Sequence, residues 1–288
     1  MPPVKTLVII GFGDIAQRTA KILPATWHYH SYSRQASADE HQHLLDLDQK
    51  SIFTLPTDTD TLLYTAPPQQ EGNTDQRMQH CLTQLPSHIK HIIYLSTTGV
   101  YGDYQGQSVT ESSHCLTNNQ RSLRRIDAEQ QLQRWVKNHH TNLTILRVSG
   151  IYGASRLNIQ RLLNNPIICP DEAPASNRIH EDDLASICQY FIENPSSGEE
   201  IYNISDNCHG TSSDIALEVA KQLKQPSPEC ISLQQAAKTF SPMRMSFLNE
   251  SRHIDSSKLI AHIPALRYPT LSEGIAQALA IQQDDNNP

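Results

Sequence analysis

The chain has 288 residues, 38% of them apolar and 18% charged, with a formal net charge of −7. This length suits one sizeable α/β domain, or a dinucleotide domain carrying a smaller lobe, and the interleaved acids and bases lack the basic footprint of a nucleic-acid binder. No apolar run reaches membrane-spanning length, no signal-peptide pattern opens the chain, and six scattered cysteines without a CxxC pair read as reduced thiols, so a cytoplasmic protein with no membrane partner is expected.

Taken in chain order, the continuous apolar run at 7–10 suits a strand buried on both faces, as in a parallel sheet. A helix follows over 14–23, with Ile15, Thr19, Ile22 and Leu23 on one side and Pro24 closing it. Further strands are predicted at 27–32, 44–47, 61–65 and 91–96. A long polar loop then covers 97–119, a helix 120–138, and a sixth strand 143–148. The alternation predicts right-handed crossovers and a doubly wound parallel sheet of Rossmann type. The rhythm changes after Val148: a short helix near 157–164, a strand at 200–204 that returns to the first sheet, and helices near 184, 212–223 and 271–281. The expected organisation is a dinucleotide-binding domain over 1–150, a mostly substrate-binding lobe over 151–288, and a frayed tail at 282–288.

Gly11-Phe12-Gly13-Asp14-Ile15-Ala16 has the form G-x-G-x-x-A between a strand and a helix. Gly11 permits the tight turn, Gly13 lets the backbone approach a diphosphate, and Ala16 lets helix and strand pack closely. The helix N-terminus offers free N–H groups to the phosphates. About 20 residues on, where an NAD site usually places a carboxylate, the sequence reads Ser31-Tyr32-Ser33-Arg34. Arg34 with Ser33 suits a 2′-phosphate, so NADP(H) is favoured over NAD(H) as cofactor; the bland alternative is a surface arginine.

Five blocks then stand in one order: the glycine turn, Ser96-Thr97-Thr98-Gly99-Val100-Tyr101-Gly102-Asp103, Leu146 to Gly153, Arg178-Ile179-His180-Glu181-Asp182-Asp183-Leu184-Ala185, and Ile201-Tyr202-Asn203-Ile204. This order resembles the extended short-chain dehydrogenase/reductase superfamily, in its NAD(P)-dependent epimerase/dehydratase branch. The resemblance implies a seven-stranded doubly wound sheet with a small substrate lobe, and a small polar, often nucleotide-sugar, substrate. It matches Thr97 to the catalytic Ser/Thr, Asp46 and Leu47 to the pair near the adenine, and Thr65 and Ala66 to the strand end beside the cofactor ribose. Thr98, Arg121, Arg156 and Arg178 are candidate substrate contacts, Arg125 a candidate cofactor contact, and a second copy of the chain a candidate partner.

One departure stands out. The family's Tyr-x-x-x-Lys pair falls on Arg121 and Arg125, with Glu129 matched to a downstream acid. Arginine stays charged and has no proton to give near pH 7. Tyr101 and Tyr104 are then candidate substitute acids, with Glu111 a further one. Arg121, Arg125 and Glu129 also share one helix face, and the bland reading of that face is a solvated ladder with an Arg125–Glu129 ion pair. Arg147 is a further candidate for a substrate anion. His28 with His30, and His41 with His43, have strand spacing, but no H-E-x-x-H or Cys/His cluster accompanies them, so no metal is expected. Two functions remain open: an NAD(P)-dependent oxidoreductase, epimerase or dehydratase, and a non-catalytic NADP(H) sensor.

Overall fold

The computed structural model describes residues 4–35, 40–49 and 52–285. Seven strands form the central sheet: β1 (Lys5–Ile10), β2 (Trp27–Ser33), β3 (Gln42–Leu44), β4 (Thr59–Tyr64), β5 (His91–Thr97), β6 (Asn142–Val148) and β7 (Glu199–Ile204), in the order β7-β6-β5-β4-β1-β2-β3. The registers run parallel, Lys5 to Ile10 against Trp27 to Tyr32 on one side of β1 and Leu7 to Ile10 against Thr61 to Tyr64 on the other. The strand predicted at 200–204 is therefore the edge strand β7 of this sheet. The third strand begins two residues earlier than predicted and ends at Leu44; the Leu45 N–H still donates to the Ser33 carbonyl at 2.7 Å, while Leu45 and Leu47 bury their side chains in the core cluster.

Alternation along β1 splits its side chains between two faces. Val8 and Ile10 join Leu62, Tyr64, Ile92, Tyr94, Leu143 and Ile145 in one buried cluster. That cluster is closed by α2 (Gln76–Leu82) through Met78 and Cys81, and by α3 (Gln120–His139) through Ala128, Leu132 and Val136. α1 (Asp14–Ile22) buries Ile15, Ala16 and Thr19, and α4 (Glu181–Glu193) buries Leu184, Ile187, Cys188, Phe191 and Ile192. Helix α2 has no counterpart in the sequence reading. Its signal is local: the Asp75 side chain accepts from the Met78 N–H at 2.9 Å, capping a helix of only seven residues.

The chain divides into two compact units. The first contains 1–100, 117–147 and 184–202; the second contains 101–116, 148–183 and 203–288. The second unit buries Tyr152, Leu157, Val219, Ile275, Ala278 and Leu279 together, under helices Asp214–Gln222 and Leu271–Asp285. The latter helix runs through part of the tail expected to fray, and Gln282 is tied down by donating to the carbonyls of Ala154 and Leu157 at 2.7 and 2.8 Å; residues 286–288 lie outside the described residues. The expectation of six reduced thiols is corrected here as well. Cys169 and Cys230 form a disulfide beside the short parallel strands Ile167–Ile168 and Cys230–Ile231, which bring residues 61 apart in sequence together.

Candidate functional site

In an open parallel sheet, ligands lie outside the carboxyl ends of the strands, where the strand order reverses. Here that point is between β1 and β4. Gly11 leaves β1 with φ +94°, and a Cβ built on it would stand 2.4 Å from the Ala66 nitrogen. The strand ends are locked together: the N–H groups of Thr65 and Ala66 both donate to the Ile10 carbonyl, and the Thr65 hydroxyl donates to the Gly11 carbonyl. Gly13, by contrast, faces open space, with no atom within 4 Å of its notional Cβ. It is the N-cap of α1, and having no side chain it makes no side-chain cap bond to that helix. Asp14 is drawn sideways by Arg18 at 2.9 Å, and Phe12 stacks on Tyr29 at 5.8 Å. Ile15 and Ala16 are buried against the sheet. The cradle that a Cβ would fill, with open space over Gly13, fits the diphosphate of a dinucleotide.

At the end of β2, Ser33 forms a turn with Gln35, and Arg34 is exposed. After β3, Asp46 accepts from the Asp48 N–H and the Gln49 side chain, while Leu47 is buried in the core cluster. Asp48 pairs with Arg77 through both carboxylate oxygens, at 2.7 and 2.5 Å. The Arg77 hydrogen bond holds the Asp48 carboxyl below the usual carboxylate range, with Arg34 acting in the same direction.

At the end of β5, the half-buried Thr97 accepts the Gly99 N–H at 3.1 Å. Gly99 is needed there, since a Cβ would meet the Ser122 hydroxyl at 2.9 Å. Thr98 is buried. On α3, Arg121 is half-buried in the first turn. Arg125 does not pair with Glu129. Its guanidinium donates to the Leu95 carbonyl at 3.0 Å and the Tyr94 hydroxyl at 3.1 Å. Burial pushes the Tyr94 phenol up to about 12, against the pull of Arg125, so it stays protonated. Glu129 is buried and bonds Arg147 at 2.8 Å and the Ser96 hydroxyl. The solvated ladder is thus a buried ion pair, and Arg147 is not available to a substrate anion.

The second unit accounts for the remaining candidates. Tyr101 is fully buried and donates its hydroxyl to the Asn203 side chain at 2.7 Å, so its role as a substitute acid is corrected to a structural one. Tyr104 donates to the His114 carbonyl, and Glu111 accepts from the Asn203 N–H. Arg178 is buried against Asp214 and the Thr211 carbonyl, at 3.3 and 3.1 Å, which withdraws it as a substrate contact. Arg156 is exposed, 3.8 Å from the buried Glu181, and lines an open cavity of about 490 Å³ with Asn158 and Gln282. Asp183 takes the N–H groups of Arg267 and Tyr268, so the acids of the Arg178–Ala185 block lie inside the first turn of α4 instead of capping a helix from Leu184.

The model of the NAD dependent epimerase/dehydratase family matches residues 73–205. A curated relative, Protein YeeZ of Escherichia coli strain K12, is 28% identical over 179 residues, which are 60% of this chain and 62% of YeeZ. The chain thus matches less than two thirds of that relative's length. Among solved structures, a functionally unknown conserved protein from Silicibacter pomeroyi DSS superposes with a TM-score of 0.82 at 24% identity, covering 96% of this chain and 99% of that one. dTDP-glucose 4,6-dehydratase from Bacillus anthracis str. Ames, in complex with NAD, gives 0.75 at 14% identity, covering 98% of each chain. These likenesses show the fold, with its seven-stranded parallel sheet.

The family's model begins after the glycine turn and after Arg34, so those residues stand on their own geometry. Sequence reasoning missed Arg77, for which a first-turn position after Asp75 is the only signal. The four histidines of β2 and the β3 segment do gather, with His30 Nδ1 3.1 Å from His43 Nε2. Among the described residues, no group of three or more His, Cys, Asp and Glu is arranged to hold a metal ion, and no helix is long and apolar enough to cross a membrane.

Proposed function

We propose that the chain binds a nicotinamide dinucleotide at the Gly11 turn, NADP(H) in preference to NAD(H), and acts as an oxidoreductase of epimerase or dehydratase type on a small polar, sugar-like substrate. The observation that carries this reading is the Gly11–Ala66 approach with open space at Gly13. The NAD bound to the similar dTDP-glucose 4,6-dehydratase supports a nicotinamide dinucleotide as ligand. When bound, the cofactor supplies hydride chemistry. The chain's own residues bind and orient. The first-turn N–H groups of α1 take the diphosphate, Arg34 and Ser33 the 2′-phosphate, Leu47 and Asp46 the adenine side, and Thr65 and Ala66 flank the ribose. Thr97 meets the reacting oxygen of the substrate, and Arg121 a substrate phosphate. With Tyr101 spent on Asn203, proton exchange falls to Thr97 together with the substrate's own hydroxyl groups.

A second reading, a non-catalytic NADP(H) sensor, is favoured by one observation: α3 presents Arg121 and Arg125 where the resemblance expects a phenol and an amine, and Arg125 is bound to the end of β5. Following nicotinamide absorbance with a panel of nucleotide sugars separates the two. Turnover lost in Thr97→Val by at least about tenfold, roughly 1.4 kcal/mol of barrier, supports the enzyme. Cofactor binding without turnover across the panel supports the sensor.

A further inference from the structure

Arg77 sits in the first turn of α2, where a cation opposes the positive end of the helix dipole. Helix stability therefore gives no reason for an arginine at this position. Its contacts do. Nε and Nη2 occupy both oxygens of Asp48, in the loop after β3, while Nη1 donates to the carbonyls of Pro67 and Pro68, in the loop after β4, at 2.9 and 3.4 Å. Only 11% of the Arg77 side chain is exposed, against 45% for Asp48. Planar, bidentate recognition of this kind is what a guanidinium does and an ammonium cannot. β2 and β3 end side by side, with Ser33 opposite Leu44 and the Leu45 N–H donating to the Ser33 carbonyl at 2.7 Å. Arg34 and Asp48 therefore leave neighbouring strand ends, and Asp48 is bonded to Arg77.

We propose that Arg77 is a specificity-determining residue: by holding both oxygens of Asp48 it keeps that carboxylate off Arg34 and so reserves Arg34 for the 2′-phosphate of NADP(H). This rests on the reading that the dinucleotide lies at the Gly11 turn with its 2′-phosphate at Arg34. Without Arg77, Asp48 is released to pair with Arg34 on the neighbouring strand end. An Asp48–Arg34 pair neutralises the phosphate-binding guanidinium and sets a negative charge where a doubly charged group must enter. NADH has no 2′-phosphate and is indifferent to that capture. The effect therefore falls on the ratio of the two affinities, whereas a merely structural clamp would weaken both alike.

The test is a set of fluorescence titrations with NADPH and with NADH on the full-length wild type, Arg34→Ala, Arg77→Met, Asp48→Asn and the double variant Arg77→Met/Asp48→Asn. Arg77→Gln serves as a second form that removes the charge but keeps a donor for the proline carbonyls. The expected result is a loss of NADPH-over-NADH preference of about tenfold in Arg77→Met and Arg77→Gln, and its return to within about threefold of wild type when Asp48→Asn is added. Equal weakening of both cofactors, or no rescue by Asp48→Asn, overturns the proposal while leaving the Arg34 reading intact. A wild type that binds the two cofactors equally overturns the Arg34 reading, and this proposal with it.

Discussion

Gly11 combines a left-handed backbone with a neighbour where its Cβ would go, so two costs coincide in one substitution. Gly11→Ala is expected to destabilise the protein by about 1–3 kcal/mol and to weaken dinucleotide binding further, because the β1 and β4 ends must part. Chemical denaturation alongside a cofactor titration checks both; unchanged values would remove the turn from the site. The Glu129–Arg147 pair makes a second residue-scale prediction. Both side chains are less than 10% exposed. Arg147→Met leaves a buried carboxylate with only the Ser96 hydroxyl, and is expected to cost about 3–5 kcal/mol in a urea melt. The glycine turn was legible because every residue of it is local. The ion pair was not: the Glu129 partner comes from β6, 18 residues on, and nothing in the i to i+4 spacing of α3 announces it.

At the scale of elements, the β2–β3 edge carries a titratable seam. His30 and His43 meet at 3.1 Å, and the His30 and His41 rings at 5.5 Å. Burial, then the His43 and His41 imidazoles, pulls the His30 pKa below its ordinary 6.5, with Asp58 opposing. The folded state therefore favours the neutral ring. Its contribution to stability is complete above pH 6.5 and is lost as pH falls below that value, where the unfolded chain takes up the proton first. Thermal melts of wild type and His30→Gln between pH 7.5 and 5 are expected to converge toward acid, and a pH-independent gap would contradict this. The strand spacing of these histidines could be read from the sequence; that one parallel pairing joins the two pairs could not, because it depends on a register between strands. Element α2 was missed for a related reason: seven residues hold too few apolar positions to show helical periodicity, and only the Asp75 cap marks it.

For the whole molecule, the chain passes between its two units at five points, so neither unit is a continuous piece. A fragment ending at residue 150 lacks α4 and β7, with their buried Ile187, Phe191, Ile192 and Tyr202. Such a fragment is expected to be insoluble or to show no cooperative melt, whereas the full chain melts cooperatively; circular dichroism on both decides it. The Cys169–Cys230 bridge joins two residues of the second unit across a sequence separation of 61, and by loop entropy alone the double serine variant should lose about 4 kcal/mol. Spacing gave no hint of that bridge, since neither cysteine belongs to a local pattern.

All of these scales meet at the β1 and β4 ends. The most direct measurement is equilibrium dialysis of the full chain against NADPH and NADH. The account predicts saturable binding of one dinucleotide per chain, tighter for NADPH, with the excess affinity for NADPH abolished in Arg34→Ala. No retention of either dinucleotide at millimolar concentration would contradict it.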